Sequence, residues 1–386
     1  MKLLVQPGDG VAPLVAAIQR AKKSVEVAVF RFDRPELEKA LKNAVQRGVF
    51  VHALIAHTNR GGEKTLRKLE MRLLGAGVTV ARTADNLLRY HDKMMIVDRA
   101  ELWVLAFNFT YLDIEHSRSF GVVTKNRALV HEAVTLFEAD TQRQTYTAGL
   151  PAFVVSPVNA RKELSAFIQK AKKELLIYDV EIADAAMLQL LEQRAAAGVD
   201  IRVIGRIDGK GDGLIARALP GLRLHTRLIV RDRTHAFLGS QSLREAELDQ
   251  RREVGILFRD AKAVARMIKV FEDDWTSAGL ASEIAAETEV APLASKAAKR
   301  VAKAIVEELP PVTPVLEEVV KEVVGDPPDV VLDSAQVEEA VKDAVKDAVK
   351  SVVKQALKQA TTDGRVDLPA PATPGGTVKR ILKTKQ

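Results

Sequence analysis

The chain contains no cysteine, which excludes disulfides and thiolate metal sites. Aromatic residues are scarce, 5% of 386 with two tryptophans, leaving few platforms on which unpaired bases stack. No apolar run approaches the roughly 18 residues needed to cross a bilayer, and the opening MKLLVQPGDG has too few apolar residues for a signal peptide. The expectation is a cytoplasmic protein, at most peripheral to a membrane. Aliphatic residues are plentiful, and at 47% hydrophobic the chain has ample material for two globular cores. Charge is unevenly spread: residues 1–282 hold 43 Lys and Arg against 34 Asp and Glu, and residues 283–386 hold 15 against 17. A basic globular part suits an anionic partner, either phospholipid head groups or nucleic acid.

Residues 89–98, RYHDKMMIVD, set ionisable groups into an apolar, strand-like run. In a strand His91 and Lys93 share a face, and Asp98 falls at the far end. The chain repeats this spacing in HTRLIVRD as His225, Arg227 and Asp232. An offset of 134 pairs His225 with His91, Glu253 with Ser119 and Gly255 with Gly121, whereas upstream an offset of 150 lays IQKAKK over IQRAKK. The chain is therefore an internal duplication, each copy about one domain long.

Each copy opens with helix, β-run, helix, β-run: VAPLVAAIQRAKK, SVEVAVFRF, PELEKALKNAVQRG and VFVHALIAH in the first. Helices alternating with short, fully apolar strands predict an α/β fold of two lobes related by a pseudo-twofold axis, each a mostly parallel β-sheet flanked by helices. Expected boundaries are 1–150, 151–282 and a low-complexity tail at 283–386. Glycine-rich loops at 57–64 and 208–213 lack a Walker or dinucleotide spacing and read as ordinary connections. In the tail, Val337, Val341, Val345, Val349, Val353 and Leu357 recur every four residues, predicting an amphipathic helix over about 334–360 whose Lys-rich face suits anionic lipid or a partner helix; the preferred expectation is a semi-ordered tail in which that helix is marginal and has neither role.

If the two copies face each other, His91, Lys93, His225 and Arg227 share one pocket. Two fixed cations hold the non-bridging oxygens of a phosphodiester. One neutral imidazole attacks phosphorus, and the other, protonated, supplies the leaving alkoxide with its proton. The adjacent cations oppose a bound metal ion, so neither metal nor cofactor is expected.

These residues resemble the phospholipase D superfamily, whose signature is a duplicated His-x-Lys-x4-Asp motif followed by Gly-Ser-x-Asn. The resemblance covers about 1–282 and extends to a bacterial, cardiolipin synthase-like subgroup. His91, Lys93 and Asp98 match fully; the second copy has Arg227 where the family has Lys. Downstream, LAFN keeps Asn108 but has Leu105 and Ala106 at the Gly-Ser positions, and GSQS keeps Gly239 and Ser240 with Ser242 for Asn. The resemblance implies that Asn108, Ser240 and Ser242 contact substrate. It also implies an acid behind each histidine: Glu253 in the second copy, with Ser119 at that place in the first, where Glu115 or Asp113 would substitute. On that assignment His91 is the less basic nucleophile and His225 the general acid, while Asp98 and Asp232 tie down backbone. The activity implied is a metal-independent phosphodiesterase on phospholipids, by hydrolysis or phosphatidyl transfer through a phosphohistidine. The alternatives are a metal-independent nuclease and a degenerate phosphate-binding scaffold. A monomer suffices, because the duplication supplies both half-sites.

Overall fold

The computed structural model describes residues 1–57, 63–209, 211 and 213–287. The two glycine-rich loops fall partly outside these residues, and the amphipathic helix expected at 334–360 falls wholly outside them.

The first lobe runs β1 (Lys2–Gln6), α1 (Ala12–Arg20), β2 (Ser24–Val29), α2 (Pro35–Gln46), β3 (Phe50–Ile55), α3 (Glu63–Gly75), β4 (Thr79–Arg82), β5 (Arg89–Tyr90), β6 (Met94–Val97), β7 (Glu101–Leu105), α4 (Tyr111–Glu115), β8 (Ser117–Thr124) and α5 (Arg127–Gln142). The second runs β9 (Phe153–Ser156), α6 (Ala160–Gln169), β10 (Glu174–Ile182), α7 (Ala185–Ala196), β11 (Asp200–Ile207), β12 (Ile215–Arg217), β13 (Arg223–Leu224), β14 (Arg227–Arg231), β15 (His235–Gly239), a π-helical turn at Ala246–Gln250, β16 (Arg251–Phe258) and α8 (Ala261–Glu287). None of the described helices is long and apolar enough to cross a membrane.

Local sequence accounts for these elements. In α2, Pro35 opens the first turn, Leu37, Ala40, Leu41 and Ala44 bury one face at helical spacing, and Gly48 follows the end at a φ of +81°. Asp184 caps α7 by accepting from the Met187 N–H at 3.0 Å.

Strand order matches between the lobes: β1-β8-β7-β6-β2-β3-β4 in one sheet and β9-β16-β15-β14-β10-β11-β12 in the other. The expected parallel pairing is found in the helix-linked parts, β2-β3-β4 and β10-β11-β12. The other strands in these two orders pair antiparallel, so each sheet is mixed. Residues 98–100 and 232–234 join their strands directly, too short a link for the crossover a parallel pair needs.

Three apolar cores result. One lies within the first lobe around Leu14, Leu37 and Trp103, and one within the second around Leu164, Ile177 and Leu191. The third packs residues of both lobes together, including Phe120, Phe137, Phe153, Tyr178, Leu238 and Phe271. Burying aromatic side chains at about 25 cal/mol per Å² of apolar surface makes this shared core the main reason the lobes stay joined.

Two short strands cross between lobes. β5, just before His91, pairs in parallel with β16 of the second lobe, and β13, just before His225, pairs in parallel with β8 of the first. Reciprocal contacts of this kind are what a twofold relation imposes.

Candidate active site

The strand exchange delivers each histidine to the opposite lobe. The His91 N–H donates to the Arg252 carbonyl at 2.8 Å, and the His225 N–H to the Arg118 carbonyl at 3.1 Å. Both imidazoles are buried, and both lie in the field of the same two cations, Lys93 and Arg227.

His91 Nδ1 sits 2.9 and 3.0 Å from the two carboxylate oxygens of Glu253. A carboxylate there fixes the proton on Nδ1 and leaves Nε2 with its lone pair. Phe30 meets the ring edge-on, 4.6 Å between centroids, and the Lys93 ammonium and Arg89 guanidinium lie over the same phenyl ring. The carboxylate pairing expected within the second copy therefore forms across the lobes instead: Glu253 backs His91, not His225. The reason is β5, which sets Tyr90 opposite Arg252 and so brings the next residue to Glu253.

His225 has a different partner. Ser119 Oγ donates to its backbone carbonyl at 2.6 Å, and Asp113 Oδ2 lies 3.4 Å from its Nδ1. Asp113, offered above as a substitute behind His91, thus serves the other histidine. Asn108 holds it through its backbone N–H at 2.8 Å and Nδ2 at 2.6 Å, and Arg223 donates to Oδ1 at 2.6 Å. Glu115 instead pairs with Arg34 at 3.0 Å.

Lys93 is buried, and its ammonium donates to the His91 carbonyl at 2.5 Å. Arg227 Nε donates to Ser242 Oγ at 2.8 Å, while its Nη1 is buried without a protein partner. Asn108 Oδ1 is likewise buried and unpartnered. Ser240 is occupied with protein: its hydroxyl bonds the Val254 backbone and the Glu253 carboxylate. At the Gly-Ser position of the first lobe, the Leu105 side chain covers Gly121; in the second, a Cβ on Gly239 would stand 2.7 Å from the Gly255 Cα, so that strand pair needs both glycines.

Asp98 and Asp232 sit at the far ends of β6 and β14. Asp98 accepts from the N–H groups of Lys22, Lys23 and Ser24, and Asp232 from those of Lys172, Lys173 and Glu174. Each clasps the turn before the antiparallel strand beside it, β2 or β10, and neither bonds to a histidine. Two depressions of about 310 and 290 Å³ lie at these hairpin ends, lined in one by Arg231 and His235 and in the other by Arg99 and Ala100.

Burial sets most of the ionisation. It lowers both histidines well below 6.5, helped by the neighbouring cations, with Asp113 opposing the shift at His225. Lys93 is brought down to about 8 by burial, against the pull of Glu253. Burial raises Glu253 despite Lys93 and Ser240. Burial also works on Asp113, but His225, Arg223 and the Asn108 donors outweigh it and hold that carboxyl below its ordinary range. At neutral pH the unliganded site has neutral imidazoles flanked by cations, a receptor for an anion. Among the described residues no group of three or more His, Asp or Glu side chains is arranged to hold a metal ion.

The sequence reading missed Phe30 and Asp179. Asp179 is buried on β10 behind Arg227, where its carboxylate accepts from Ser242 and from the Leu243 N–H at 2.8 Å. The signal was present: an aspartate inside the apolar run ELLIYDVEI is the same anomaly that singled out His91.

Comparison with known proteins agrees with this architecture. Residues 14–141 and 164–275 match the family described as cardiolipin synthase, PLD-like domain. No curated protein matches. Among solved structures, a polyphosphate kinase from Porphyromonas gingivalis is 18% identical with a TM-score of 0.59; the match covers 70% of this chain and 49% of that one, so this chain spans about half its length. A phosphatidylserine synthase from Haemophilus influenzae is 10% identical with a TM-score of 0.52, covering 68% and 83%. Nuc, a phospholipase D family member from Salmonella typhimurium, is 27% identical with a TM-score of 0.33 over 37% of this chain and 93% of its own. With the family match extending over more than half of the residues and falling on both lobes, the chain belongs to the phospholipase D superfamily, in its cardiolipin synthase PLD-like family.

Proposed function

We propose that this protein cleaves phospholipid phosphodiesters, transferring the phosphatidyl group to water or to an alcohol through a phosphohistidine. The observation that carries the reading is the pair of buried imidazoles in the field of the same two cations, each with its Nδ1 beside a carboxylate of the opposite lobe. With Nδ1–H given to Glu253, the Nε2 lone pair of His91 attacks phosphorus while the bond to the leaving oxygen breaks. His225 passes its proton to that oxygen as general acid. Its unliganded pKa is low, but the bound diester brings a negative charge and Asp113 balances the imidazolium, so proton uptake accompanies binding. Lys93 and Arg227 hold the non-bridging oxygens as charge builds on them. His225, now neutral, takes a proton from water or an alcohol; that oxygen attacks phosphorus, the P–N bond breaks, and His91 is restored. The choice of lipid over nucleic acid follows the scarcity of aromatic stacking platforms and the kinship with cardiolipin synthase domains.

The test is acid quenching during turnover of ³²P-phosphatidylglycerol, followed by peptide mapping. Label on His91 with release of glycerol is expected. An unlabelled protein that turns over no lipid overturns the reading, and label acquired from DNA or RNA moves the substrate to nucleic acid.

A further inference from the structure

Three of the aligned positions at which the half-sites differ go together. Subtracting 134 pairs Arg227 with Lys93 and Ser242 with Asn108; subtracting 150 pairs Asp179 with Val29. Strand register supports both offsets, since Ala28 lies opposite Met94 as Tyr178 lies opposite Leu228. A larger cation thus coincides with a smaller neighbour and with a carboxylate where the first lobe has valine.

We infer that Ser242 and Asp179 are positioning residues that aim the Arg227 guanidinium, so that the second half-site grips a phosphoryl group with a guanidinium fork instead of the first lobe's ammonium and carboxamide. This deepens the phosphodiester reading and rests on it. A serine hydroxyl has one proton to give and two lone pairs. Ser242 uses one lone pair for the Arg227 Nε–H at 2.8 Å and gives its proton to Asp179. Asp179 is itself held by the N–H groups of Leu243 and Glu181 at 2.8 and 3.1 Å. The chain from backbone to carboxylate to hydroxyl fixes the plane of the guanidinium. It also occupies Nε, which removes the side-on mode of binding and leaves the end of the fork, where Nη1 is buried with no protein partner. A buried guanidinium N–H without an acceptor is costly. A phosphate oxygen satisfies it with a charge-assisted bond. An asparagine at 242 fills the space that Nε and the serine hydroxyl share, which accounts for the paired exchange of cation and neighbour.

The test uses the full chain with two probes, inorganic phosphate for affinity by calorimetry and bis(p-nitrophenyl) phosphate for turnover. Ser242→Ala is expected to weaken phosphate binding about tenfold and to raise KM about tenfold with a smaller change in kcat. Ser242→Thr, which keeps the hydroxyl, retains both. Arg227→Lys and Ser242→Asn each lose about tenfold, and the double variant recovers most of it. Independent losses in that cycle, or a folded Ser242→Ala that binds phosphate like the native chain, overturn the inference, as does a native chain that ignores millimolar phosphate. Phosphate binding intact without turnover of any diester counts against the catalytic reading alone.

Discussion

The two lobes agree where the chain packs and differ around the paired histidines. Strand order is the same, the hairpins linking β6 to β7 and β14 to β15 are equally long, and Asp98 and Asp232 clasp equivalent turns with equivalent bonds. Around the paired histidines, by contrast, Lys93 corresponds to Arg227, Asn108 to Ser242, and Ser119 to Glu253. The two carboxylates beside the imidazoles come from non-equivalent places, Glu253 on a strand and Asp113 on a helix. A duplicated scaffold constrains both copies to pack alike, whereas a reaction with a nucleophile on one side and a proton donor on the other needs the two sides to be unlike.

The sharpest way to probe that division of labour is to remove one carboxylate at a time. Glu253→Gln is expected to lower kcat about 100-fold and to reduce phosphohistidine formation, because His91 loses its tautomer anchor. Asp113→Asn, acting on a looser 3.4 Å contact, is expected to cost about tenfold and to slow leaving-group departure. Equal effects in single-turnover assays break the asymmetry. The cations give a second contrast. With Lys93 at about 8, its charged form is lost as pH rises through that value, so kcat/KM, which already falls with pH because His225 takes up its proton on binding, falls by about a further tenfold per unit above pH 8. The acid limb lies well below 6.5, because His91 stays neutral to low pH. In Lys93→Arg that extra steepening moves beyond pH 9.

Effects on folding come next in size. Asp98→Ala and Asp232→Ala each abandon three backbone N–H groups and are expected to cost about 2 kcal/mol, equally in the two lobes and with KM unchanged; urea titration measures both. The smallest effect separates Asp92 from its counterpart Thr226. Burial pushes Asp92 up to about 6 from 3.8. Between those values the folded chain keeps a proton that the unfolded chain has lost, so stability falls as pH rises through about 4 to 6 and stays lower above. Asp92→Asn is expected to remove about 1 to 2 kcal/mol of that decline, read by denaturation at pH 4 and pH 7.

Much of this was legible in the residues. The repeated His-x-cation spacing gave both halves of the site, helix and strand alternation gave the parallel parts of each sheet, and the placement of Asp98 and Asp232 at strand ends indicated their backbone role. What stayed hidden depends on pairing between distant segments. Aligning the copies puts Glu253 in the same repeat as His225, and only the crossing of a two-residue strand, β5, reveals that it serves His91. Asp113 was visible as a carboxylate but not as the neighbour of His225, since that contact spans 112 positions and depends on how β13 docks on β8. Asp179 has no charged counterpart in the first copy, so repeat comparison passed over it.

The exchange of β5 and β13 also sets a timetable for the molecule. His91 and Glu253 are 162 residues apart, and neither histidine meets its carboxylate until the lobes dock through the core they share. The proposed phosphodiesterase activity is then expected to be the last property regained on refolding, after helix and sheet signals have recovered, so that its appearance would time the docking of one half upon the other.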